Sequence, residues 1–229
     1  LPNSDSMTSM NIAMVGAGIG GLTAAACLLK NGHRVRIYEQ AGDVHEVGAA
    51  VQMSANAVKV LYHLGLRDML ERQAVKPQSF EFRRFDTGEL LHEIRLGADH
   101  EARHGHPYYQ IHRVDLHAAL LAVVQSLDPQ ALQLGARASH VTEQAQGASI
   151  HFVDGKTVQA ELVVGGDGIK SVVRQHVVNA DPPVFTGQVA WRLAIPIERI
   201  PVELRPPIAS TIWCGPNNHA VMYYMRSAQ

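Results

Sequence analysis

Short apolar runs alternate with longer amphipathic stretches through much of the chain, a pattern typical of α/β proteins. Residues 11–15 form an apolar run of strand length, and the Ala- and Leu-rich stretch 22–30 favours a helix. Asn31 and Gly32 follow that helix and suit its C-terminal end. Residues 34–38 alternate polar and apolar side chains, so the start of the chain predicts a strand–turn–helix–strand unit.

The rest of the chain mixes helical and strand patterns. Helices are predicted over residues 55–64, 66–72, 113–126 and 169–177. Turn signals at Asp86-Thr87-Gly88 and Asp154-Gly155 predict two hairpins, formed by 80–85 with 90–96 and by 149–153 with 157–164. Alternating segments at 188–195, 209–213 and 219–225 predict a largely antiparallel sheet.

Composition narrows the classes of protein that fit this pattern. The 229 residues carry 20 Lys and Arg against 21 Asp and Glu, and this balance argues against a nucleic-acid binder. No apolar stretch reaches the ~18–20 residues of a membrane-spanning helix. Cys27 and Cys214 lie far apart and form no CxxC or metal-binding spacing, as expected in a reducing compartment. We therefore expect a soluble, cytoplasmic protein, whose oligomeric state the sequence leaves open.

The first chemical signal is a GxGxxG motif at Gly16, Gly18 and Gly21, between the first strand and the first helix. The first glycine permits a tight turn, the second lets a pyrophosphate approach the backbone, and the third lets the helix pack on the strand. Glu39 ends the second strand, where a carboxylate can accept hydrogen bonds from ribose hydroxyls and disfavour a 2′-phosphate. The motif predicts dinucleotide binding and leaves NAD and FAD as alternatives.

A second motif bears on that choice. Residues 166–174 read GDGIKSVVR, a GDGxxSxxR pattern, and Arg113 opens the predicted central helix. Together with GxGxxG, these residues resemble the single-component FAD-dependent aromatic hydroxylases, typified by p-hydroxybenzoate and salicylate hydroxylases. Residues 187–196 and 213–223 look like the salicylate and 6-hydroxynicotinate hydroxylase branch.

The resemblance implies FAD as the cofactor and NADH or NADPH as a transient co-substrate. The three motif glycines would hold the FAD pyrophosphate and Glu39 the adenosine ribose. Arg113 would reach the phosphate–ribityl linkage, and Asp167 would serve both FAD and the pyridine nucleotide. Gln52 would lie near the flavin, where salicylate-type enzymes have Gln and the 6-hydroxynicotinate enzymes have His.

The resemblance also implies the reaction. It predicts hydroxylation of a small aromatic compound bearing a hydroxyl and a carboxylate, with NAD(P)H and O2, in aromatic compound catabolism. His219 and Tyr223 match family residues beside the substrate, and their even spacing would place both on one face of a strand. A neutral His can accept a phenolic proton near neutral pH.

Several alternatives stay open at this point. Another flavin monooxygenase on the same fold, such as an epoxidase or a drug-inactivating hydroxylase, would carry the same motifs. A non-catalytic FAD- or nucleotide-binding module and an NAD-dependent dehydrogenase are further rivals. A disulfide reductase is excluded because the chain has no CxxC.

The sequence also predicts what the His-rich segment does. His100, His104 and His106 with Glu101 lack a convincing ligand spacing, so the segment is predicted to be a solvated loop and no metal site is expected.

The predicted fold is an α/β, Rossmann-like FAD-binding domain (10–75 and 107–180) joined to an antiparallel-sheet substrate domain (76–106 and 181–229). Residues 1–9 are expected to be disordered or tag-derived. The resembled family is longer and has a later Gly-Asp motif that contacts the ribityl chain. The chain is therefore expected to be truncated, with an incomplete substrate domain.

Overall fold

The computed structural model describes residues 8–43, 48–178 and 181–227. Of the predicted N-terminal tail, residues 1–7 lie outside this range. The chain divides into a first unit, Leu1–His45 with His117–Gln188, and a second unit, Glu46–Leu116 with Val189–Gln229. These limits differ from the predicted domain limits, because residues 46–75 and 107–116 belong to the second unit and residues 181–188 to the first.

The helices and strands follow one another in a mixed α/β order. The α-helices of the described residues are α1 (Ile19–Lys30), α2 (Ala55–His63), α3 (Arg67–Gln73), α4 (Ala98–His104), α5 (Arg113–Leu127) and α6 (Val172–Val178). The strands are β1 (Asn11–Val15), β2 (Arg34–Tyr38), β3 (Ala50–Met53), β4 (Ser79–Arg84), β5 (Leu90–Arg95), β6 (Tyr109–His112), β7 (Leu132–Gln133), β8 (Ala138–Gln144), β9 (Gly147–Phe152), β10 (Thr157–Ala160), β11 (Leu162–Gly165), β12 (Ser210–Gly215) and β13 (Asn218–Met222). None of the described helices is long and apolar enough to cross a membrane.

The first unit is built on a parallel sheet of order β11–β1–β2–β7. A three-stranded antiparallel sheet, β10–β9–β8, forms a second layer. The core cluster includes Val15 and Tyr38 from the parallel sheet and Ile150 and Phe152 from the antiparallel one. The parallel sheet with helix α1 after its first strand is the Rossmann-like arrangement that the glycine motif predicts.

The second unit contains a four-stranded sheet of order β13–β12–β4–β5 and a separate pair, β3–β6. Two of the three pairings in the larger sheet are antiparallel, but β4 and β12 run parallel, so the sheet is mixed. The core side chains of the second unit include Tyr109 and Ile111 of β6, with Val58 of α2 and Leu70 of α3.

The predicted strand–turn–helix–strand unit and both predicted hairpins are confirmed. β1, α1 and β2 form the expected unit, with the helix beginning three residues earlier than predicted. Both predicted hairpins are present, since β4 pairs antiparallel with β5 and β9 with β10.

Two predicted strands are wrong. The segment 157–164 is not one strand: β10 pairs with β9, whereas β11 pairs with β1 in the parallel sheet. Glu161 joins the layers, because its N–H donates to the Asn11 carbonyl and its carboxylate accepts the Asn11 N–H. The segment 188–195 forms no strand, because no described segment supplies it with a hydrogen-bonding partner.

Two helical regions also differ from the prediction. The His-rich segment is helix α4 rather than a loop, with Gly105 in the left-handed conformation at its C-cap. Acidic residues in its first turn and basic residues in its last turn suit the helix dipole. The predicted helix 169–177 is a 3-10 turn, Gly168–Lys170, followed after Ser171 by α6.

Gly20 and Gly21 give a matched test of how tightly α1 packs. A Cβ on Gly21 would collide with the Gly16 carbonyl oxygen, whereas a Cβ on Gly20 would meet nothing within 4 Å. We expect Gly21→Ala to lower the free energy of unfolding by about 1–3 kcal/mol through overpacking. Gly20→Ala should raise it by about 0.5–1 kcal/mol, as usual for an open helix position. Urea unfolding of both variants checks this, and equal stabilities would contradict the packing described.

Candidate functional site

In the first unit the three motif glycines differ in backbone conformation and in the space around them. Gly16 has a φ of 97°, in the region that favours glycine, and a Cβ there would lie 2.5 Å from the Gly166 carbonyl oxygen. Gly18 is the N-cap of α1, and a Cβ on it would meet nothing within 4 Å. Gly21 is closed by the Gly16 carbonyl. Of the three motif glycines, only Gly18 therefore faces open space, and it does so at the helix N-terminus.

That helix N-terminus has the chemistry of an anion site. No side chain caps it within the described residues, so the first-turn N–H groups stay available. The aligned peptide dipoles add partial positive charge there. A pyrophosphate approaching over Gly18 would meet backbone donors with no side chain in the way. These residues fit the diphosphate of a dinucleotide.

Two side chains hold the backbone of Ala17, the residue after the first glycine. The Ala17 N–H donates to Glu39 Oε2 (2.8 Å), and the buried His117 Nε2 donates to the Ala17 carbonyl (2.7 Å). Glu39 Oε1 accepts a second bond from the Ala41 N–H (2.9 Å). Glu39 thus fixes the turn, and its predicted contact with ribose stays a prediction. His117 was missed by sequence reasoning, because a lone His within a helical pattern carries no signal of a distant carbonyl.

The second motif lies directly against the first. β11 pairs in register with β1, so Val15 stands beside Gly165. A Cβ on Gly166 would lie 2.9 Å from the Gly21 Cα, and one on Gly16 would lie 2.9 Å from the Asp167 Cα. The structure therefore brings Gly16, Gly21 and Asp167 together, as motifs of one nucleotide site require.

Asp167 has a structural task of its own. Its Oδ2 accepts the N–H groups of Val172 (2.7 Å) and Val173 (3.4 Å), and its Oδ1 accepts the Ser171 hydroxyl. The carboxylate therefore caps the first turn of α6. Its predicted contact with the cofactor stays a prediction beside this observed role.

In the second unit Gln52 is the centre of a polar network. Its Oε1 accepts the Tyr108 hydroxyl (2.8 Å), and its Nε2 donates to Ser210 Oγ (3.1 Å). Burial raises the pKa of Tyr108, and the neighbouring Tyr223 raises it further. Tyr108 therefore stays a neutral hydrogen-bond donor at physiological pH. Sequence reasoning missed Tyr108 and Ser210, since neither lies in a recognisable motif.

His219 and Tyr223 do not share a strand, contrary to the prediction. His219 lies on β13 in register with Cys214 and is exposed, but β13 ends at Met222. Tyr223 follows the strand and is half-buried near Tyr108. The pairing places His219 and Cys214 on the same face of the sheet. The even spacing failed as a guide because the strand stops before the second residue.

Arg113 lies where β6 passes into α5. Its backbone N–H donates to the Ala49 carbonyl (3.0 Å), and its side chain runs along Gly48, where a Cβ would lie 2.8 Å from the Arg113 Cδ. Arg113 and Gln52, with the two substrate-side candidates, belong to the second unit, whereas the glycines, Glu39 and Asp167 belong to the first.

Gln110 is the most unusual polar residue of the second unit. It is fully buried, and neither atom of its amide has a hydrogen-bond partner within the described residues. Its register partner on β3 is Gln52, so both side chains lie on the same face of the pair. Its backbone is fixed by two bonds to Val75. Burial of the Gln110 amide therefore lowers the stability of the fold, and no hydrogen bond within the described residues offsets this cost.

No group of three or more His, Cys, Asp or Glu side chains among the residues that the structure describes could hold a metal ion. The rings of His100 and His104 on helix α4 have centroids 4.5 Å apart and planes tilted by 47°. Burial lowers the pKa of His100, and His104 adds to this effect.

Comparison with known proteins adds the following findings. A family model described as "FAD binding domain" matches residues 9–220. A 3-amino-4-hydroxybenzoate 2-monooxygenase from Streptomyces platensis is 39% identical over 212 residues, which are 93% of this chain and 52% of that protein. A 6-hydroxynicotinate 3-monooxygenase from Pseudomonas fluorescens is 33% identical over 217 residues, 95% of this chain and 56% of that protein. The chain spans about half the length of the curated relatives it matches.

A solved structure matches as well. Klebsiella pneumoniae HpxO, complexed with FAD and uric acid, superposes with a TM-score of 0.76 at 26% identity. The match covers 96% of this chain and 54% of that one.

Gln110 and its register partner Gln52 give a matched pair of substitutions. We expect Gln110→Met to raise the free energy of unfolding by about 1–2 kcal/mol, because it removes two unsatisfied buried polar atoms. Gln52→Met should lower it or leave it unchanged, since Gln52 loses bonds to Tyr108 and Ser210. Urea denaturation measures both. A loss of stability in Gln110→Met would mean that the amide has a partner, such as an internal water.

Proposed function

Because the chain belongs to the FAD-binding domain family, we propose that it acts in an FAD-dependent monooxygenase that hydroxylates a small aromatic hydroxycarboxylate with NAD(P)H and O2. The observation that carries the proposal is the close approach of the two glycine turns, with Gly18 left open at the N-terminus of α1. That arrangement suits a dinucleotide pyrophosphate, and the family is one that binds FAD.

The residues of this chain would hold the cofactor in the following way. The N–H groups of the first turn of α1 would bind the pyrophosphate over Gly18. Glu39 keeps free lone pairs after accepting two N–H bonds, so it can also accept ribose hydroxyls. Arg113 would bind the phosphate–ribityl linkage, and Gln52 would lie near the flavin ring. Asp167 would contact both FAD and the pyridine nucleotide. The bound flavin would supply the redox chemistry by which NAD(P)H and O2 yield an electrophilic oxygen.

The substrate class follows from chemistry shared by the relatives. Their names include 3-amino-4-hydroxybenzoate, 6-hydroxynicotinate and 3-hydroxybenzoate, each an aromatic ring with a carboxylate and a hydroxyl or its equivalent. Electrophilic attack is favoured when the ring hydroxyl loses its proton. His219 would take that proton, and Tyr223 would position the ring beside Tyr108. We place the enzyme in the cytoplasm, where NAD(P)H is available and the free thiols of Cys27 and Cys214 persist.

Cofactor binding is tested by a substitution that the fold should tolerate. Gly18 has a φ of −69° and open space around it, so Gly18→Ala should leave thermal unfolding of the FAD-free chain unchanged. The added methyl group occupies the approach to the backbone, and we expect FAD affinity to fall about tenfold or more. Flavin fluorescence titration measures this, with Gly20→Ala as the control that keeps its affinity. Failure of the unsubstituted chain to bind FAD would refute the proposal.

The role of His219 is tested by turnover. His219→Asn should reduce kcat/KM about 100-fold or more through loss of the general base, while FAD affinity stays the same. His92→Asn on β5 is the matched control and should keep its activity. Oxygen uptake and product mass are followed with 3-hydroxybenzoate, 6-hydroxynicotinate and an alkene. Oxidation of the alkene alone would favour an epoxidase and contradict the proposed substrate class.

A further inference from the structure

The first unit has a recess at the ends of its strands that lie away from the glycine motifs. A cavity of about 260 Å³ opens where β1 and β2 begin, between the parallel sheet and β10. The walls that matter here are Ala13, Arg34 and Arg36 on one side and Val158 and Ala160 on the other. Gly16 and Glu39 follow the opposite ends of the same strands, about 16 Å away at the usual strand rise.

The register of the strands explains why the space is there. Ala13 pairs with Arg36 and Val15 with Tyr38, so these side chains share one face of the sheet. Near the glycine turn the layer is filled, since Tyr38 packs on Phe152 with ring centroids 5.1 Å apart. Towards the strand beginnings the facing side chains are small, as at Ala13 and Ala160, and the layers leave a gap.

The polar wall of this gap is cationic. The Arg34 backbone N–H donates to the Met10 carbonyl, but its guanidinium has no hydrogen-bond or ion-pair partner within the described residues. Arg36 uses its Nη1 to bond Asp128 Oδ2 (2.6 Å) and the Val35 carbonyl (3.1 Å). The pairing Asn11–Arg34 adds an amide to the same face. The nearby Glu161 carboxylate accepts the Asn11 N–H and forms no ion pair with Arg34 within the described residues.

We propose that this cavity binds a small carboxylate that carries an apolar ring or chain. Arg34 would take the carboxylate through its planar fork of donors, with Arg36 adding charge beside it. The apolar body would lie against Ala13, Val158 and Ala160 and fill the gap between the layers. The site is separate from the one proposed for FAD, so it stands or falls independently of the flavin proposal.

The experiment is a titration of the ¹⁵N-labelled chain with benzoate, with and without saturating FAD. We expect saturable shifts of the backbone N–H signals of Ala13, Arg36 and Val158 that FAD does not abolish. Arg34→Gln should weaken this binding about tenfold, as for loss of a charge-assisted bond. Arg34→Lys should bind between the two. Arg137→Gln removes an exposed arginine elsewhere in the same unit and should bind as tightly as the unsubstituted chain.

Three results would overturn the proposal. Inorganic phosphate could shift the same signals with equal affinity, which would mean that the apolar wall contributes nothing. Arg34→Gln could bind benzoate as tightly as the unsubstituted chain. Benzoate could shift signals only around Gln52 and His219, which would assign it to the proposed substrate site instead.

Discussion

The nucleotide site depends on a contact between two backbones at which no side chain fits. The turn after β1 and the turn after β11 meet at Gly16, Gly21 and Gly166, where an added Cβ would lie within 3 Å of a backbone atom or collide with it. Parallel pairing of β1 with β11 brings the turns to the same edge of the sheet. Only glycine permits this approach, and the approach places Asp167 beside the helix N-terminus of the first motif. Two segments far apart in sequence thereby form one edge, which is where we propose that the pyrophosphate binds.

Hydrogen bonds to Ala17 connect this contact to the rest of the first unit. The Ala17 N–H is held by Glu39 from β2 and its carbonyl by His117 from α5. A carbonyl can only accept, so the His117 Nε2 is the donor in this bond. Each Glu39 carboxylate oxygen accepts one backbone N–H at this turn, from Ala17 and from Ala41. A ribose would therefore meet a carboxylate already oriented by the protein, which lowers the cost of ordering it on binding.

The parts of the fold that could be predicted are those fixed by neighbours in sequence. The glycine turn, its helix and both hairpin turns depend on backbone conformations that a few residues impose. Alternation shows that residues 157–164 are extended, but it does not show that Glu161 divides them between two sheets. Helix α4 did have a signal, since glycines flank a segment that is acidic first and basic last. Tyr108 and Ser210 had none, because their partner Gln52 is defined only by tertiary structure.

The polar groups at the glycine turn and those around Gln52 differ in how fully they are hydrogen-bonded within the chain. In the first unit Ala17, Glu39 and Asp167 are hydrogen-bonded within the chain, so a dinucleotide adds contacts to groups that are already held in place. In the second unit Gln52 is bonded, but the buried Gln110 beside it is not, within the residues described. The Gln110 amide can gain a hydrogen bond only if a neighbouring group or a ligand moves to it, whereas Ala17, Glu39 and Asp167 already have theirs. We therefore expect ligand-dependent rearrangement to concentrate in the second unit, around β3 and β6, while the glycine turns keep one geometry.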